Sequence, residues 1–221
     1  MLEGLEQYAR EFGVELSPAQ GAALRAYWRM VLETNRHTNL TRITEDRDAT
    51  LKHFVDSLTV LKTGVFERGA RVVDVGSGAG FPGVPLKIAR PDLSMVLLDA
   101  TLKRVRFLQA VIERLGLEGM EAVHGRAEEL GRRPGWAGSF DVAVARAVAR
   151  LDVLVRWCMP LVKPNGCLLA MKGPDVEEEL AAAERALRAA RARVVRVERL
   201  ALPKGAGQRN IVVVEKSAAA G

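Results

Sequence analysis

Residues 71–83 read RVVDVGSGAGFPG, and this stretch decides the fold. A short apolar run ends in glycines at positions 76, 78 and 80, which let a chain turn sharply after a strand and leave no side chain between backbone and ligand. The spacing lacks the two-residue gap before the third glycine that a pyrophosphate-binding turn has. Asp74, two residues before the first glycine, would repel a diphosphate and suit a cationic ligand. The turn therefore predicts a site for a positively charged ligand at the carboxyl edge of a sheet.

Outward from this turn, apolar runs alternate with amphipathic stretches, which predicts a parallel sheet covered by helices on both faces. The last two runs are separated only by a loop containing residues 203–205, so they should pair antiparallel at the sheet edge. We expect an α/β fold with a doubly wound, mixed seven-stranded sheet. The seven predicted strands are RVVDV, SMVLLDA, MEAVHG, FDVAVAR, GCLLAMKG, RARVVRVERLAL and RNIVVVEK.

The chain before the sheet is helical in pattern. Ser17 to Gln20 forms a capping box with proline at the first helical position, which predicts a helix ending near Thr34. A second helix should begin after Thr44 and end at Gly64. We expect an N-terminal helical extension over residues 1–66 and a sheet domain over residues 67–217.

Composition excludes several classes of protein. With 221 residues, 48% hydrophobic and 27% charged, the chain is typical of a soluble globular protein. No apolar run is long enough to cross a bilayer, and the acidic N-terminal segment differs from a secretory signal, so a cytoplasmic location is expected. Cys158 and Cys167 provide neither a disulfide framework nor a metal-ligand cluster, and we expect both to fill the core. No metal and no membrane are expected, and the protein should be a monomer.

The net charge of +6 is unevenly distributed, because residues 1–50 carry six basic and eight acidic residues. Arginines outnumber lysines by 25 to eight. Arginine suits phosphate and stacks on bases, so a polyanionic partner is one interpretation. A solvated basic surface, or the residue usage of a GC-rich or thermophilic genome, is the other interpretation that composition leaves open.

A second carboxylate follows the next predicted strand. Asp99 lies 19 residues after Gly80, and an acid at this position can accept both hydroxyls of a ribose. Alternatively, Asp99 caps the helix that begins near Thr101. Together with the glycine turn, it predicts a ribose-bearing ligand whose other end is positively charged.

The turn resembles the first motif of S-adenosylmethionine-dependent methyltransferases with a Rossmann-like sheet. Further segments resemble the bacterial small-subunit ribosomal RNA guanine-N7 methyltransferase family, RsmG or GidB, and the HFxDS, GRAEE and ARAVA segments are the most specific of them. Ala100, where many relatives carry serine, is the visible departure. The matching segments are NRHTNLT (35–41), HFVDSL (53–58), VDVGSGAGFPGVPL (73–86), LDA (98–100), KRVRFL (103–108), GRAE (125–128), ARAVARL (145–151), MKG (171–173) and RNIVV (209–213).

The resemblance implies S-adenosylmethionine as cofactor. It implies that Gly76 and Gly78 lie at the methionine end with Phe81 nearby, and that Asp99 holds the ribose. It further implies that Ala100 and Thr101 lie beside the adenosine, Ala127 and Glu128 at the adenine, and Arg146 at the junction of cofactor and substrate.

Two alternatives stay open. The acid at position 128 also suits the first turn of a helix, and Arg146 could instead pair with Asp74 or Asp141.

Candidate RNA contacts come from loops that follow strands. Lys172, Lys204 and Arg209 are expected near the ligand edge, where Lys103, Arg104 and Arg106 could also serve. Arg185, Arg188 and Arg191 form a helical stripe that a solvated face explains almost as well. His53, Asp56 and Ser57 share one helix face. They form either a substrate-facing cluster or a joint between extension and sheet, and the joint is favoured for Asp56 and Ser57.

The resemblance implies methyl transfer to guanine N7 of small-subunit ribosomal RNA, naked or in the 30S subunit, near the decoding site. Because N7 carries a free lone pair, no general base is required, and we assign no catalytic residue. The rival interpretations are a methyltransferase acting on a small molecule or protein and a nonenzymatic RNA-binding or assembly factor. A nicotinamide-dependent oxidoreductase is disfavoured by the glycine spacing and by Asp74.

Overall fold

The computed structural model describes residues 1–218. Its centre is one seven-stranded sheet in the order β3-β2-β1-β4-β5-β7-β6. The first five strands in this order run parallel, whereas β7 is antiparallel to both of its neighbours. The predicted doubly wound mixed sheet, including the antiparallel final pair, is confirmed. The strands are β1 Arg71–Val75, β2 Ser94–Asp99, β3 Met120–His124, β4 Phe140–Arg146, β5 Val162–Lys172, β6 Ala192–Leu202 and β7 Gly207–Lys216.

Helices cover both faces of the sheet, because alternate strand residues are buried on opposite sides. Val72 and Val142 pack in the core that also contains the N-terminal helices, while their neighbours Val73 and Ala143 pack in the core on the other face. The helices are α1 Leu5–Arg10, α2 Pro18–Thr38, α3 Asp46–Ala49, α4 Asp56–Leu58, α5 Gly83–Ala89, α6 Leu102–Leu115, α7 Ala127–Leu130, α8 Leu151–Cys158 and α9 Glu177–Ala189.

Helix α2 begins as the sequence predicts. The Ser17 side chain accepts from the backbone of Gln20, and the Gln20 side chain accepts from the backbone of Ser17. The helix continues to Thr38, four residues beyond the predicted end, and stops where Asn39 adopts a left-handed conformation with φ of 49°. The polar residues 35–38 are therefore still part of the helix.

The second predicted helix spans three kinds of helical turn. Between α3 and α4, residues Thr50–Val55 form a wide π turn, and Thr59–Thr63 form a 3₁₀ turn that ends at left-handed Gly64. The predicted end is confirmed, whereas the predicted uniform helix is wrong. Wide turns of this kind are frequent where a helix carries site residues, and this one contains His53.

The helical extension shares a hydrophobic core with the sheet. Tyr27 and Trp28 are fully buried in the same cluster as Val72 and Val142. The Tyr27 hydroxyl donates to the carbonyl of Ala79 within the glycine turn at 2.5 Å. Residues 1–66 therefore form a covering layer that touches the site, and the turn is built partly by the extension.

Asp74 lies beneath the glycine turn. Its Oδ2 accepts the amide of Gly83 at 2.9 Å, and its side chain is fully buried and does not line the cleft above. The expectation that it faces a cationic ligand is wrong, because the turn carries the chain over it towards α5. Burial raises the pKa of Asp74 to about 7. The hydrogen bond from Gly83 and the charge of Arg146 lower this pKa, but their effect is smaller than that of burial.

This raised pKa predicts a pH-dependent stability. The unfolded chain releases the Asp74 proton near pH 4 and the folded chain near pH 7, so the free energy of unfolding should fall as pH rises between these values. The loss is at most about 4 kcal/mol by linkage. Asp74→Asn should abolish this part of the decline, which urea unfolding at pH 5 and at pH 8 measures.

Asp92→Asn is the matched control. The guanidinium of Arg90, 2.7 Å away, holds the pKa of Asp92 well below its usual range. That carboxylate is therefore ionised throughout the tested interval in both states. The control should retain the decline of the native protein, and an Asp74→Asn profile parallel to the native one would contradict the assignment.

Candidate functional site

A cleft with two lobes lies at the carboxyl edge of the parallel strands. The larger lobe has a volume of about 810 Å³ and the smaller of about 300 Å³. Both lobes are lined by Gly76, Arg104, Ala147 and Val148, so they meet at the ends of β1 and β4. A separate cavity of about 610 Å³ lies at the opposite edge of the sheet, beside Lys163 and Asp141, away from the predicted site residues.

Asp99 forms the wall of the smaller lobe. Its Oδ2 accepts the amide of Gly78 at 2.9 Å, and its Oδ1 accepts the amide of Thr101 at 2.8 Å. Thr101 is the N-cap of α6 and Asp99 lies two residues before it, so the alternative that Asp99 caps this helix is wrong. Each oxygen has a second lone pair, so these two bonds and ribose binding are compatible at this carboxylate.

The other residues predicted around the adenosine lie in the same lobe. Ala100, Thr101, Ala127 and Glu128 all line it, and Trp157 of α8 completes the lining. The Glu128 carboxylate is 3.8 Å from Arg126. Trp157 is not among the residues predicted from sequence, because the helical pattern around it gives no sign that α8 reaches this edge.

The glycine turn leaves room at the junction of the lobes. A Cβ on Gly76 would lie 2.7 Å from the Val148 side chain, and the φ of Gly76 is 74°, so only glycine fits without a shift. A Cβ on Gly78 would meet only the carbonyl oxygen of Gly76, at 3.9 Å, and Gly78 lines the larger lobe together with Phe81. The turn therefore provides a cradle that a side chain would fill.

Arg146, at the end of β4, pairs with Asp56. The Nη1 atom is 3.0 Å from Asp56 Oδ2 and also donates to the carbonyl of Lys52 at 2.8 Å. The alternative partners Asp74 and Asp141 are wrong, since Asp141 pairs with Lys163. The pair joins the sheet to the helical extension, and Arg146 lines the larger lobe beside Phe81.

His53 uses both of its ring nitrogens. Arg146 Nη2 lies 3.2 Å from Nδ1, which must accept, so Nε2 donates to Thr41 Oγ1 at 2.8 Å. The ring stacks on Phe81 with centroids 4.4 Å apart. Burial, with the charge of Arg146, lowers the pKa of His53 to about 3. The imidazole is therefore neutral at physiological pH and has no free nitrogen.

Asp56 and Ser57 are joint residues, as the sequence favours. Asp56 Oδ1 is 3.2 Å from Arg209 Nε, an ion pair without an aligned hydrogen bond, so one buried carboxylate serves two arginines. Ser57 is fully buried, and its hydroxyl donates to the carbonyl of His53. Asp56 reaches the wall of the larger lobe with both oxygens beside arginines, whereas Ser57 does not line either lobe.

The three lysine and arginine candidates from strand-end loops occupy different places. Arg209 lines the larger lobe. Lys172 also lines it, but its ammonium is 2.7 Å from Glu179 and donates to the carbonyl of Ala149, so it supports the wall and is not a free cation. Lys204 lies beside the N-terminal helices, outside both lobes. Both lysines lie at or just after the carboxyl ends of strands, as expected, but Lys172 is paired and Lys204 lies outside both lobes; contact of either with RNA stays a prediction.

The arginine stripe of α9 points away from the cleft edge. Helix α9 starts after the end of β5 and leads to the start of β6, which runs parallel to β5, so its last turn lies at the opposite edge. Arg188 pairs with Glu184 at 3.3 Å. The stripe therefore has no part in lining the site.

From the composition we expect neither a metal site nor a membrane-spanning helix. Among the described residues no cluster of three or more potential metal ligands occurs, and no helix within them is long and apolar enough to cross a membrane. Cys158 and Cys167 are buried, and burial raises both thiol pKa values to about 12, as expected for core residues.

Comparison with solved structures shows the fold. A SAM-dependent methyltransferase from Aquifex aeolicus superposes with a TM-score of 0.55 and 22% identity over 75% of this chain and 92% of that one. A mutant of MtNAS in complex with S-adenosylmethionine gives a TM-score of 0.59 and 18% identity over 98% and 77% of the two chains.

Comparison with curated sequences shows the family. The family model GidB, described as rRNA small subunit methyltransferase G, matches residues 20–212. Proteins named ribosomal RNA small subunit methyltransferase G are 46% identical over 91% of this chain and 85% of theirs in Lactobacillus acidophilus, and 42% identical over 98% and 90% in Pelotomaculum thermopropionicum. With a match of this extent and a methyltransferase-type sheet, the chain belongs to the rRNA small subunit methyltransferase G family.

Proposed function

We propose that this protein transfers a methyl group from S-adenosylmethionine to N7 of a guanine near the decoding site of small-subunit ribosomal RNA. The observation that carries the proposal is the two-lobed cleft, whose lobes meet at Gly76 in the glycine turn. One lobe suits a nucleoside and the other an acceptor base, so their junction suits the methyl group. The comparisons support the ribosomal RNA substrate.

The smaller lobe fits the nucleoside part of the cofactor. Asp99 would accept from the ribose hydroxyls, while Ala100 and Thr101 would lie beside the adenosine and Ala127 and Glu128 at the adenine edge. Gly76 and Gly78 would leave space for the methionine end, with Phe81 behind it. The bound cofactor supplies the electrophilic methyl group, and these residues orient it towards the larger lobe.

The larger lobe fits an acceptor that needs no deprotonation. Guanine N7 has an exposed lone pair, and the neutral His53 has both nitrogens engaged. Two cations of the lobe wall are paired, Arg146 with Asp56 and Lys172 with Glu179, whereas Arg104, which also lines the lobe, is 3.6 Å from Asp99. Catalysis would rest on alignment of N7 with the methyl group and on exclusion of water.

The proposal also includes the macromolecular partner of the protein and its location in the cell. Ribosomal RNA, naked or in the 30S subunit, is the macromolecular partner. Arg209 lines the larger lobe, where its Nε atom is 3.2 Å from Asp56 Oδ1. A cytoplasmic monomer without metal fits this activity.

Asp99→Ala should weaken binding of S-adenosylmethionine by about 1–3 kcal/mol, because the ribose hydroxyls lose their acceptors. Isothermal titration measures the dissociation constant. Since Asp99 also accepts two backbone amides, Asp99→Asn, which keeps one acceptor, is tested beside it, and Asp92→Ala controls for loss of an acid far from the cleft. Native affinity in a folded Asp99→Ala protein would remove Asp99 from the site.

Incubation with labelled S-adenosylmethionine tests the substrate class. The protein is given naked small-subunit RNA, assembled 30S subunits or a small-molecule extract, and label should appear in the RNA of one of the first two. Nuclease digestion and chromatography should then identify 7-methylguanosine. Label only in small molecules or in protein, or another methylated nucleoside, would contradict the proposal.

A further inference from the structure

A basic surface borders the cleft where two helices meet. Lys103 donates to the carbonyl of His37 at 3.2 Å, which brings the first turn of α6 against the last turn of α2 across 66 positions of sequence. We call this surface the α2–α6 seam. Its residues are Arg36, His37, Arg42, Lys103, Arg104 and Arg106.

The seam is continuous with the cleft. Arg104 lines both lobes, and Thr41, next to Arg42, lines the larger one. Asn35 holds this rim in place, since its side chain donates to the carbonyl of Thr41 at 3.0 Å and accepts the Thr41 amide at 2.9 Å. A strand lying on the seam can therefore place a nucleotide in the larger lobe.

The charge of the seam is largely unpaired. Arg36, Arg42, Lys103 and Arg106 are exposed, and within residues 1–218 none of them has an acidic partner. Arg104 is 3.6 Å from Asp99, beyond hydrogen-bond distance. Side chains of this kind can contact a polyanion without first breaking an ion pair.

The position of the charge on α6 argues against a role in stability. A helix favours acids in its first turn and bases in its last, and α9 follows this rule with three glutamates in its first turn and Arg188 in its last. Helix α6 has no acid in its first turn and carries Lys103 and Arg104 there instead. Helix stability explains the charges of α9, whereas those of α6 need another reason.

One apolar side chain lies among these cations. Leu102, at the start of α6, is 45% exposed and is the only large exposed hydrophobic residue on the seam among the described residues. An apolar surface between cations suits a base or ribose flanked by phosphates. The composition of the seam therefore fits a nucleic-acid strand.

We propose that the α2–α6 seam binds the phosphate backbone of the RNA strand whose guanine enters the larger lobe. This inference rests on the proposed function. It extends the candidate contacts Lys103, Arg104 and Arg106 to a surface formed jointly by the extension and the sheet domain, and it leaves out the arginine stripe of α9, which leads to the opposite edge.

The test compares two triple variants that each lose three positive charges. Arg42→Gln/Lys103→Gln/Arg106→Gln removes charge from the seam, and Arg185→Gln/Arg188→Gln/Arg191→Gln removes it from α9. Methyl transfer to RNA is measured from about 50 to 200 mM salt, a range in which phosphate contacts have a strong effect. The seam variant should raise KM for RNA by roughly 10- to 100-fold and lower the salt slope by about 2.

The affinity for S-adenosylmethionine separates loss of RNA contact from loss of fold, and it should stay native in both variants. The α9 variant should keep the native KM and salt slope. A native KM in the seam variant, or a larger effect in the α9 variant, would overturn the seam proposal. Failure of the native protein to label RNA would instead overturn the proposed function, so the two failures are distinguishable.

Discussion

The carboxylate of Asp56 joins three parts of the chain that lie far apart in sequence. It is carried by the helical extension, and it pairs with Arg146 from β4 and Arg209 from β7. Because Asp56 is 4% exposed, removing either arginine would leave a buried charge poorly compensated. The shape of the larger lobe therefore depends on the relative positions of the extension, β4 and β7.

The same interaction sets the chemistry of the lobe. Arg146, held by Asp56, occupies one nitrogen of His53, and burial together with the charge of Arg146 lowers the pKa of this imidazole and keeps it neutral. Lys172 and Glu179 pair with each other in the same lobe. With Arg146 and Lys172 paired and both nitrogens of His53 engaged, this lobe offers no free base among the described residues. This character suits an acceptor atom that already has a free lone pair, and it would suit a protonated amine poorly.

The parts of the molecule that follow from local pattern could be predicted from sequence, and the rest could not. Strand alternation, the glycine turn and the capping box at Ser17 depend on neighbours a few positions apart, and the structure confirms them. The partner of Arg146, the pairing of Lys172 with Glu179 and the bond from Tyr27 to Ala79 depend on which distant segments meet. A lysine after a strand has the same local pattern whether its partner is a glutamate or a phosphate.

For a related reason, counts of charged residues along the sequence do not show which charges are paired in the fold. Residues 181–216 hold nine basic and three acidic residues, yet Arg193 pairs with Glu215 and Arg199 pairs with Glu177, so part of this charge is paired within the fold. The extension is acidic over its first 50 residues, and nevertheless contributes Arg36 and Arg42 to the cleft border. Lys103 is the most informative of these cations, because it lacks an acidic partner within the described residues and opposes the dipole of α6, whereas Arg36 lies in the last turn of α2, where the dipole favours a base.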